Sequence, residues 1–235
     1  MGIEDEAERH CLESQTDQVN ELNAQRAAVY GLLARLVRTE VDRETLIGLA
    51  ELQPALGMEE GLLREGYRRM GDFARQAVGQ EGALGQGAAD LDQAVTGLAV
   101  DFVRVFIGFG NDGHSAAYPY ESVYTSEKRL LRQGAKGEVA KFMRESGVKV
   151  KPSWHEGEDH LACELEFMQE LCLRDGGWLE AQHEFVSRHL AAWVPLFAQD
   201  MRRFAKTSFY LGLADLLEGF VMCDLAFLEE AAGMC

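Results

Sequence analysis

The sequence predicts an all-α protein that folds as a compact helical bundle. Proline occurs only four times in 235 residues, and residues that favour helices dominate the rest of the chain. Apolar residues recur at helical spacing along much of its length, and no segment requires a strand. Since 47% of the residues are hydrophobic, a chain of this length can bury a substantial core. We expect a single helical domain over residues 1–235.

The first half of the chain is predicted to form four helices, at about residues 16–39, 43–53, 58–78 and 90–106. A frayed acidic lead is expected before the first of them. Asp42 is expected to cap the second helix, which should end before Pro54. The third helix should be weakened by three glycines, because glycine lowers helix stability: Gly61, Gly66 and Gly71.

The second half begins with a long loop at residues 108–122, and loops of this length are often functional. Five helices are predicted after it, at about residues 125–145, 159–173, 178–190, 195–206 and 209–232. Gly147 should end the first of these, and Pro195 suits a first helical turn, so a break is expected near Trp193. The irregular link at 148–157 is the candidate hinge between two packed halves, 1–147 and 158–235.

Charge and cysteine content narrow the class of protein. The formal net charge of −16 argues against nucleic acid, because phosphate binding requires clustered Lys and Arg, and it favours a basic partner or high solubility. The five cysteines form no C-x-x-C pair, which indicates reduced thiols. The N-terminal segment lacks the apolar core of a signal peptide, and no apolar run is long enough to span a bilayer. We expect a cytoplasmic protein without stable membrane insertion.

One short segment, Gly108 to Gly113, matches the G-x-G-x-x-G pattern of dinucleotide-binding loops. That pattern binds pyrophosphate only between a strand and the start of a helix. The residues that follow it here, His114 to Tyr120, are not a helix start. We interpret the match as chance.

The stretch from Trp154 to Leu171 carries two histidines, a cysteine and a cluster of acidic residues before an apolar helix. His160 and Glu164 share a helix face, so one interpretation is a metal site or an acid–base pair. No paired zinc spacing, nucleophile motif or phosphate-binding loop accompanies them. The other interpretation is structural, with Asp159 as the cap of the helix that follows.

A second stretch, Ala117 to Glu127, places two tyrosines, a glutamate and a serine at the end of the long loop. These residues could simply close the loop and cap the next helix. They could also form an aromatic and acidic lip on a groove. Such a lip suits arginine and amphipathic peptides, because rings offer cation–π contact and a carboxylate pairs with guanidinium.

Together the two stretches resemble the TorD/DmsD family of cytoplasmic chaperones for molybdenum-containing redox enzymes, which is related to NarJ. The family's central signature, Glu-Pro-x-Asp-His and then x-x-x-Glu-Leu-x-Phe-Met, stands here at Glu156–His160 and Glu164–Met168. Its second block stands at Pro119–Tyr124, after a Phe-x-Gly loop. Further similar pieces extend the resemblance over nearly the whole chain, at residues 26–36, 189–197 and 209–221.

The resemblance implies a TorD-like chaperone that is not an enzyme and has no cofactor of its own. Its partners would be the catalytic subunit of a molybdenum-cofactor oxidoreductase and the twin-arginine leader of that subunit. It would aid cofactor insertion and delay export until the enzyme is complete, as a monomer or a domain-exchanged dimer. The basic pair and apolar stretch of such a leader would be complemented by an acidic rim around an apolar groove.

Seven residues are predicted to form the peptide site: Tyr120, Glu121, Ser122, Glu156, Asp159, His160 and Glu164. The carboxylates of Glu121 and Asp159 would accept hydrogen bonds from arginine. His160 would orient the loop or bond the peptide backbone, and Tyr120 would cover the apolar part of the leader. Gly157 stands where the family has proline, so a looser linker is expected. The alternative is a helical metal-binding enzyme that uses the cluster at 155–164: His155, Glu156, Asp159, His160 and Glu164.

Overall fold

The backbone is almost entirely helical wherever it is described. A computed structural model describes residues 3–51, 61–79, 87–108, 115–126, 134–151, 153–174 and 178–233. Within these ranges no strand occurs, and the extended backbone pairs at a single bridge between Tyr120 and His160. The prediction of an all-α fold is confirmed.

The helices of the described ranges follow one another as α1 (Ile3–Arg38), α2 (Arg43–Ala50), α3 (Leu62–Val78), α4 (Gly87–Phe102), α5 (Glu121–Thr125), α6 (Ala135–Glu145), α7 (Leu161–Cys172), α8 (Leu179–Phe185), α9 (Ala191–Phe204) and α10 (Ser208–Gly233). One π-helical turn, Val103–Ile107, extends α4, and a second, Val186–Leu190, joins α8 to α9. None of the described helices is long and apolar enough to cross a membrane.

Local signals placed several helix ends correctly. The Asp42 carboxylate accepts a hydrogen bond from the Thr45 amide at 2.7 Å and so caps α2, as predicted. Gly147 has a φ of +72°, and the amide that follows it bonds back to the Met143 carbonyl at 2.8 Å. This left-handed glycine ends α6 in the expected way. The end of the second predicted helix at Pro54 lies outside the described residues.

Three predictions about the elements were wrong. The acidic lead is helical rather than frayed, since α1 begins at Ile3. The helix expected over 125–145 is interrupted, because α5 ends at Thr125, Ser126 is extended and α6 begins at Ala135. Pro195 lies inside α9, so there is no break near Trp193. The interpretation of the G-x-G-x-x-G match as chance is supported, because the segment before Gly108 is a π-helical turn and not the strand that a dinucleotide loop requires; residues 109–114 lie outside the described part.

The continuity at Pro195 has a local explanation. A proline in a helix interior removes one hydrogen bond and presses its ring against the carbonyl four residues earlier, here that of Ala191. The π-helical turn ends directly before that residue, and the Ala191 amide bonds to the Val186 carbonyl. A wide turn at this point changes the path of the backbone where the ring needs room, which is a common setting for helix bends.

Helices α3 and α10 approach each other so closely at three glycines that a side chain there would collide with the facing helix. A β-carbon on Gly66 would lie 2.5 Å from the Leu216 amide nitrogen, and one on Gly212 would lie 2.8 Å from the Arg69 β-carbon. A side chain on Gly219 would collide with the Leu63 backbone in the same way. Gly66, expected only to weaken the third helix, is therefore the residue that lets α10 approach it.

A buried ion pair joins α1 to α10. The Arg26 guanidinium donates to both carboxylate oxygens of Asp224, at 2.5 and 2.9 Å, and both side chains are about 95% buried. The Tyr30 hydroxyl donates to the same carboxylate at 2.6 Å. The remaining guanidinium N–H groups reach Asn23 and Gln182, and the Gln182 amide donates to the Leu171 carbonyl of α7. One polar network thus connects α1, α7, α8 and α10.

The apolar core is continuous across the chain. Its buried members come from both sides of the link at 148–157, and Val148 and Val150 of the link pack against it. Helix α1 packs on α7, and α10 packs on α3, α8 and α9. A division into 1–147 and 158–235 with a hinge at 148–157 stays a proposal.

We expect Gly66→Ala to lower the free energy of unfolding by about 1–3 kcal/mol, because the added methyl group must separate α3 from the α10 backbone. Gly137→Ala is the matched control, since a β-carbon there meets nothing within 4 Å and alanine favours a helix by up to about 1 kcal/mol. Urea unfolding of both variants measures the difference. Equal stability of the two variants would contradict the close approach at Gly66.

We expect Asp224→Asn to cost about 3 kcal/mol of stability, because it leaves the buried Arg26 charge without its counter-ion. Asp92→Asn removes a carboxylate from an exposed pair with Arg43 and should change stability by less than about 1 kcal/mol. The two variants are compared by urea unfolding at neutral pH. A cost for Asp224→Asn as small as that of the control would mean that the pair contributes nothing.

Candidate functional site

The two sequence blocks of the resemblance meet through backbone pairing. Tyr120 and His160 form an isolated antiparallel bridge. The Glu121 amide donates to the Asp159 carbonyl at 2.9 Å, and the Leu161 amide donates to the Pro119 carbonyl at 2.9 Å. The entrances to α5 and α7 are therefore held side by side, and their side chains form one cluster.

His160 is the cap of α7. Its Nδ1 accepts a hydrogen bond from the Ala162 amide at 3.1 Å, so the prediction of Asp159 as the cap was wrong by one residue. The Asp159 carboxylate instead accepts from the Ser122 amide at 3.4 Å, in the first turn of α5. The antiparallel bridge explains why Asp159 does not cap α7, because its side chain is directed to the start of α5 instead.

Aromatic rings enclose the His160 imidazole. Tyr120 and Trp154 each meet it edge to face, with ring centroids 4.9 and 5.4 Å away. The Trp154 indole donates to the Gly157 carbonyl at 3.2 Å, which fixes the turn before α7. Burial lowers the pKa of His160 to about 4, against a smaller opposing effect of the Glu156 carboxylate. His160 is therefore neutral at physiological pH, as a cap that accepts a hydrogen bond must be.

The accessible part of the cluster is acidic and aromatic. Glu156 is exposed, and its carboxylate accepts a hydrogen bond from the Tyr120 hydroxyl at 2.5 Å. Glu158 is half-buried and lies 3.2 Å from the Lys136 ammonium. His155 is exposed. We call Tyr120, His155, Glu156 and Glu158 the rim.

Three further carboxyl groups lie beneath the rim, away from solvent. Glu121 is 4% exposed, and its Oε2 lies 3.0 Å from Nδ1 of His189. Glu164 is fully buried, and its Oε2 accepts from the Trp193 indole at 3.2 Å. Burial, and secondly the Glu121 charge, raise the pKa of Glu164 well above its ordinary range. Glu121 and Glu164 thus brace α5 and α7 against α9 and the π-helical turn before it.

Asp159 is the third of these groups, and it is incompletely satisfied. Its side chain is fully buried, and Oδ1 has no hydrogen-bond partner among the described residues. Gly157 lies directly over this oxygen, where any β-carbon would collide with it. A glycine at 157 therefore permits the observed position of the carboxylate. An unsatisfied oxygen on a buried carboxylate is costly, and it can accept a donor from a ligand.

The structure thus brings together all seven predicted site residues, but it divides them by exposure. Tyr120 and Glu156 reach solvent, whereas Glu121, Ser122, Asp159, His160 and Glu164 are buried. Sequence reasoning missed His189, Trp193 and Trp154 as members of the cluster. His189 and Trp193 lie in the resemblance block at 189–197, so a polar residue within that apolar block was the available signal.

The described residues do not favour the metal-site alternative. No group of three or more His, Cys, Asp and Glu side chains within them is arranged to hold a metal ion. His155 points to solvent, and Cys163 is buried with a pKa raised to about 12, chiefly by burial.

The low pKa of His160 predicts a pH dependence of stability. Because the unfolded histidine takes up its proton near pH 6.5 and the folded one near pH 4, stability falls as the pH drops through this range, by about 3 kcal/mol. His160→Asn retains a side-chain acceptor at the cap but cannot titrate, so its stability should fall less over the same range. Urea unfolding at several pH values measures both slopes, and identical slopes would refute the assignment.

The chain is similar to known proteins over most of its length. The family model described as nitrate reductase delta subunit matches residues 63–199. The chaperone protein TorD of Vibrio parahaemolyticus is 33% identical over 148 residues, covering 59% of this chain and 67% of that protein. TorD of Vibrio cholerae serotype O1 is 30% identical over 223 residues, covering 89% and 94%. TorD of Shewanella pealeana is 26% identical over 231 residues, covering 94% and 98%.

The matched region runs from α3 into α9 and therefore includes both blocks that meet at the Tyr120–His160 bridge. It covers more than half of the chain, and the TorD chaperones align over most of the remainder. The chain belongs to the nitrate reductase delta subunit family and is similar throughout to TorD chaperones.

Proposed function

We propose that this protein is a cytoplasmic chaperone for the maturation of a molybdopterin-containing oxidoreductase. It binds the apoprotein of the catalytic subunit, its twin-arginine leader, or both. It thereby aids cofactor insertion and delays export until the enzyme is complete. The similarity to proteins named chaperone protein TorD supports the general activity. The proposed site is supported by one observation: the two sequence blocks pair through backbone beneath an exposed aromatic and acidic rim.

The rim is the proposed first contact of the leader. An arginine guanidinium would replace the Tyr120 hydroxyl on the Glu156 carboxylate, because a charged donor forms the stronger hydrogen bond. The freed Tyr120 ring would then cover the apolar stretch that follows the basic pair. The net charge of −16 steers a basic peptide toward this surface.

Asp159 is the proposed second acceptor. Its Oδ1 lacks a partner among the described residues, so a guanidinium or amide that reached it would satisfy a buried acceptor. Access requires the turn at residues 155–158 to move, and Gly157 gives that turn the backbone freedom to do so. Glu121, Ser122, His160 and Glu164 are assigned a positioning role, because they are buried and hold the backbone of α5 and α7.

The proposal includes no chemistry by the chaperone itself. It requires only binding and release, and the cofactor belongs to the client enzyme. The client is one of the molybdoenzymes whose catalytic subunit carries a twin-arginine leader.

The test is titration calorimetry of the full chain with leader peptides from molybdoenzymes of the same genome, each beside a control with its two arginines replaced by alanine. One leader should bind and its control should not. Asp159→Asn should weaken that binding about tenfold or more, and Glu156→Gln should weaken it about fivefold, since buried charged hydrogen bonds exceed exposed ones.

Asp92→Asn removes an acid of the exposed surface and is the control for net charge; it should leave the affinity unchanged. Urea unfolding of each variant establishes that the fold is intact. If no leader binds the wild-type protein, leader recognition is refuted. If a leader binds and both site variants retain full affinity, the function stands and the assignment of the site is refuted.

A further inference from the structure

A groove of about 510 Å³ lies beside the site, between α6, α7 and the link that joins them. Its floor is apolar and includes Met143, Val148, Phe167 and Leu173. Leu173 is 60% exposed, so part of this apolar lining is open to solvent. The Trp154 ring separates the groove from His160, and the Arg38 guanidinium lies over that ring at 4.6 Å.

One wall of the groove is the non-helical segment 148–151. Along it the valines are half-buried against the core and the lysines are exposed, which is the alternation typical of a strand. The amides of Lys149 and Lys151 donate no backbone hydrogen bond to the described part of the chain. A segment of this kind can take up an extended peptide as an additional strand.

The charge of the groove is opposite to that of the whole chain. Its two acids are already paired, Glu166 with Arg38 at 2.6 Å and Glu170 with Arg174 at 3.7 Å. Lys149 and Lys151 also line it, and neither forms an ion pair with a described residue. The lining therefore carries two uncompensated positive charges on a protein of net charge −16. A basic leader is repelled here, whereas an acidic segment is attracted.

We propose that this groove binds an extended peptide segment in which apolar side chains alternate with Asp or Glu. The apolar side chains lie on the floor, the acids pair with Lys149 and Lys151, and the peptide backbone bonds to the amides of Lys149 and Lys151, which share one edge of a strand. This surface is separate from the rim at Tyr120 and Glu156, and its occupant differs in charge from a twin-arginine leader. The chain thus offers two adjacent peptide surfaces of opposite charge.

The test uses the full chain and two labelled synthetic peptides, one in which valine alternates with glutamate and one in which valine alternates with lysine. Fluorescence anisotropy should detect binding of the acidic peptide and not of the basic one. The double variant Lys149→Glu/Lys151→Glu should weaken that binding about tenfold, since two exposed ion pairs are lost. Lys141→Glu, an exposed change on α6 outside the groove, should have no effect.

An acidic peptide with N-methyl groups on its pairing edge should not bind, because it cannot add as a strand.

Three results would overturn the proposal. Equal binding of acidic and basic peptides would mean that charge does not select the occupant. Undiminished binding by the double variant would place the peptide elsewhere. A concentration-dependent dimer in sedimentation, abolished by the double variant, would identify the occupant as a second copy of the chain. The double variant should bind a twin-arginine leader as the wild type does, so failure of this proposal is distinguishable from failure of the leader proposal.

Discussion

The arrangement of the helices depends on a buried ion pair where α1 meets α10. Arg26 and Asp224 are both almost fully buried, and they connect the α1–α7 pair to the group of helices around α10. A lone charge in that position would be very costly, so each partner requires the other at one separation and one orientation. Since Gln182 passes the network on to the α7 backbone, the register of α7 is fixed as well. The helix whose first turn holds His160 is thus held from its far end.

At the candidate site, the acids that dominate the sequence divide into two physical classes. Glu121, Asp159 and Glu164 are buried, and they hold α5, α7 and α9 in position through hydrogen bonds to backbone, imidazole and indole groups. Glu156 alone among the seven predicted residues presents an exposed carboxylate, and Tyr120 lies beside it. A strongly acidic motif therefore yields a modest accessible charge. Its larger contribution is to hold the starts of α5 and α7 beside each other.

The confirmed predictions concern features that depend on residues close together in the sequence. The helix content, the Asp42 cap and the glycine end of α6 follow from residues within one turn of each other. Two errors arise where distant residues decide: α10 explains Gly66, and the bridge to Tyr120 moves the cap from Asp159 to His160. The error at Pro195 arises because a wide turn in the preceding residues accommodates the ring. The site residues were predicted from the resemblance. Which of them are buried could not be predicted, because burial follows a regular sequence pattern only within a helix or strand, and several of these residues lie in turns. The contacts of His189 with Glu121 and of Trp193 with Glu164 join residues too far apart in sequence for any periodic pattern to predict.

The glycine contact between α3 and α10 also bears on how the chain folds. Gly66 and Leu216 lie about 150 residues apart in the sequence, so bringing them together closes a long loop and costs chain entropy. Contacts of this kind slow folding, because the loss of entropy precedes any gain from packing. The search for the native state is therefore expected to pass through compact forms in which α10 is helical but undocked, with its apolar face available to other chains.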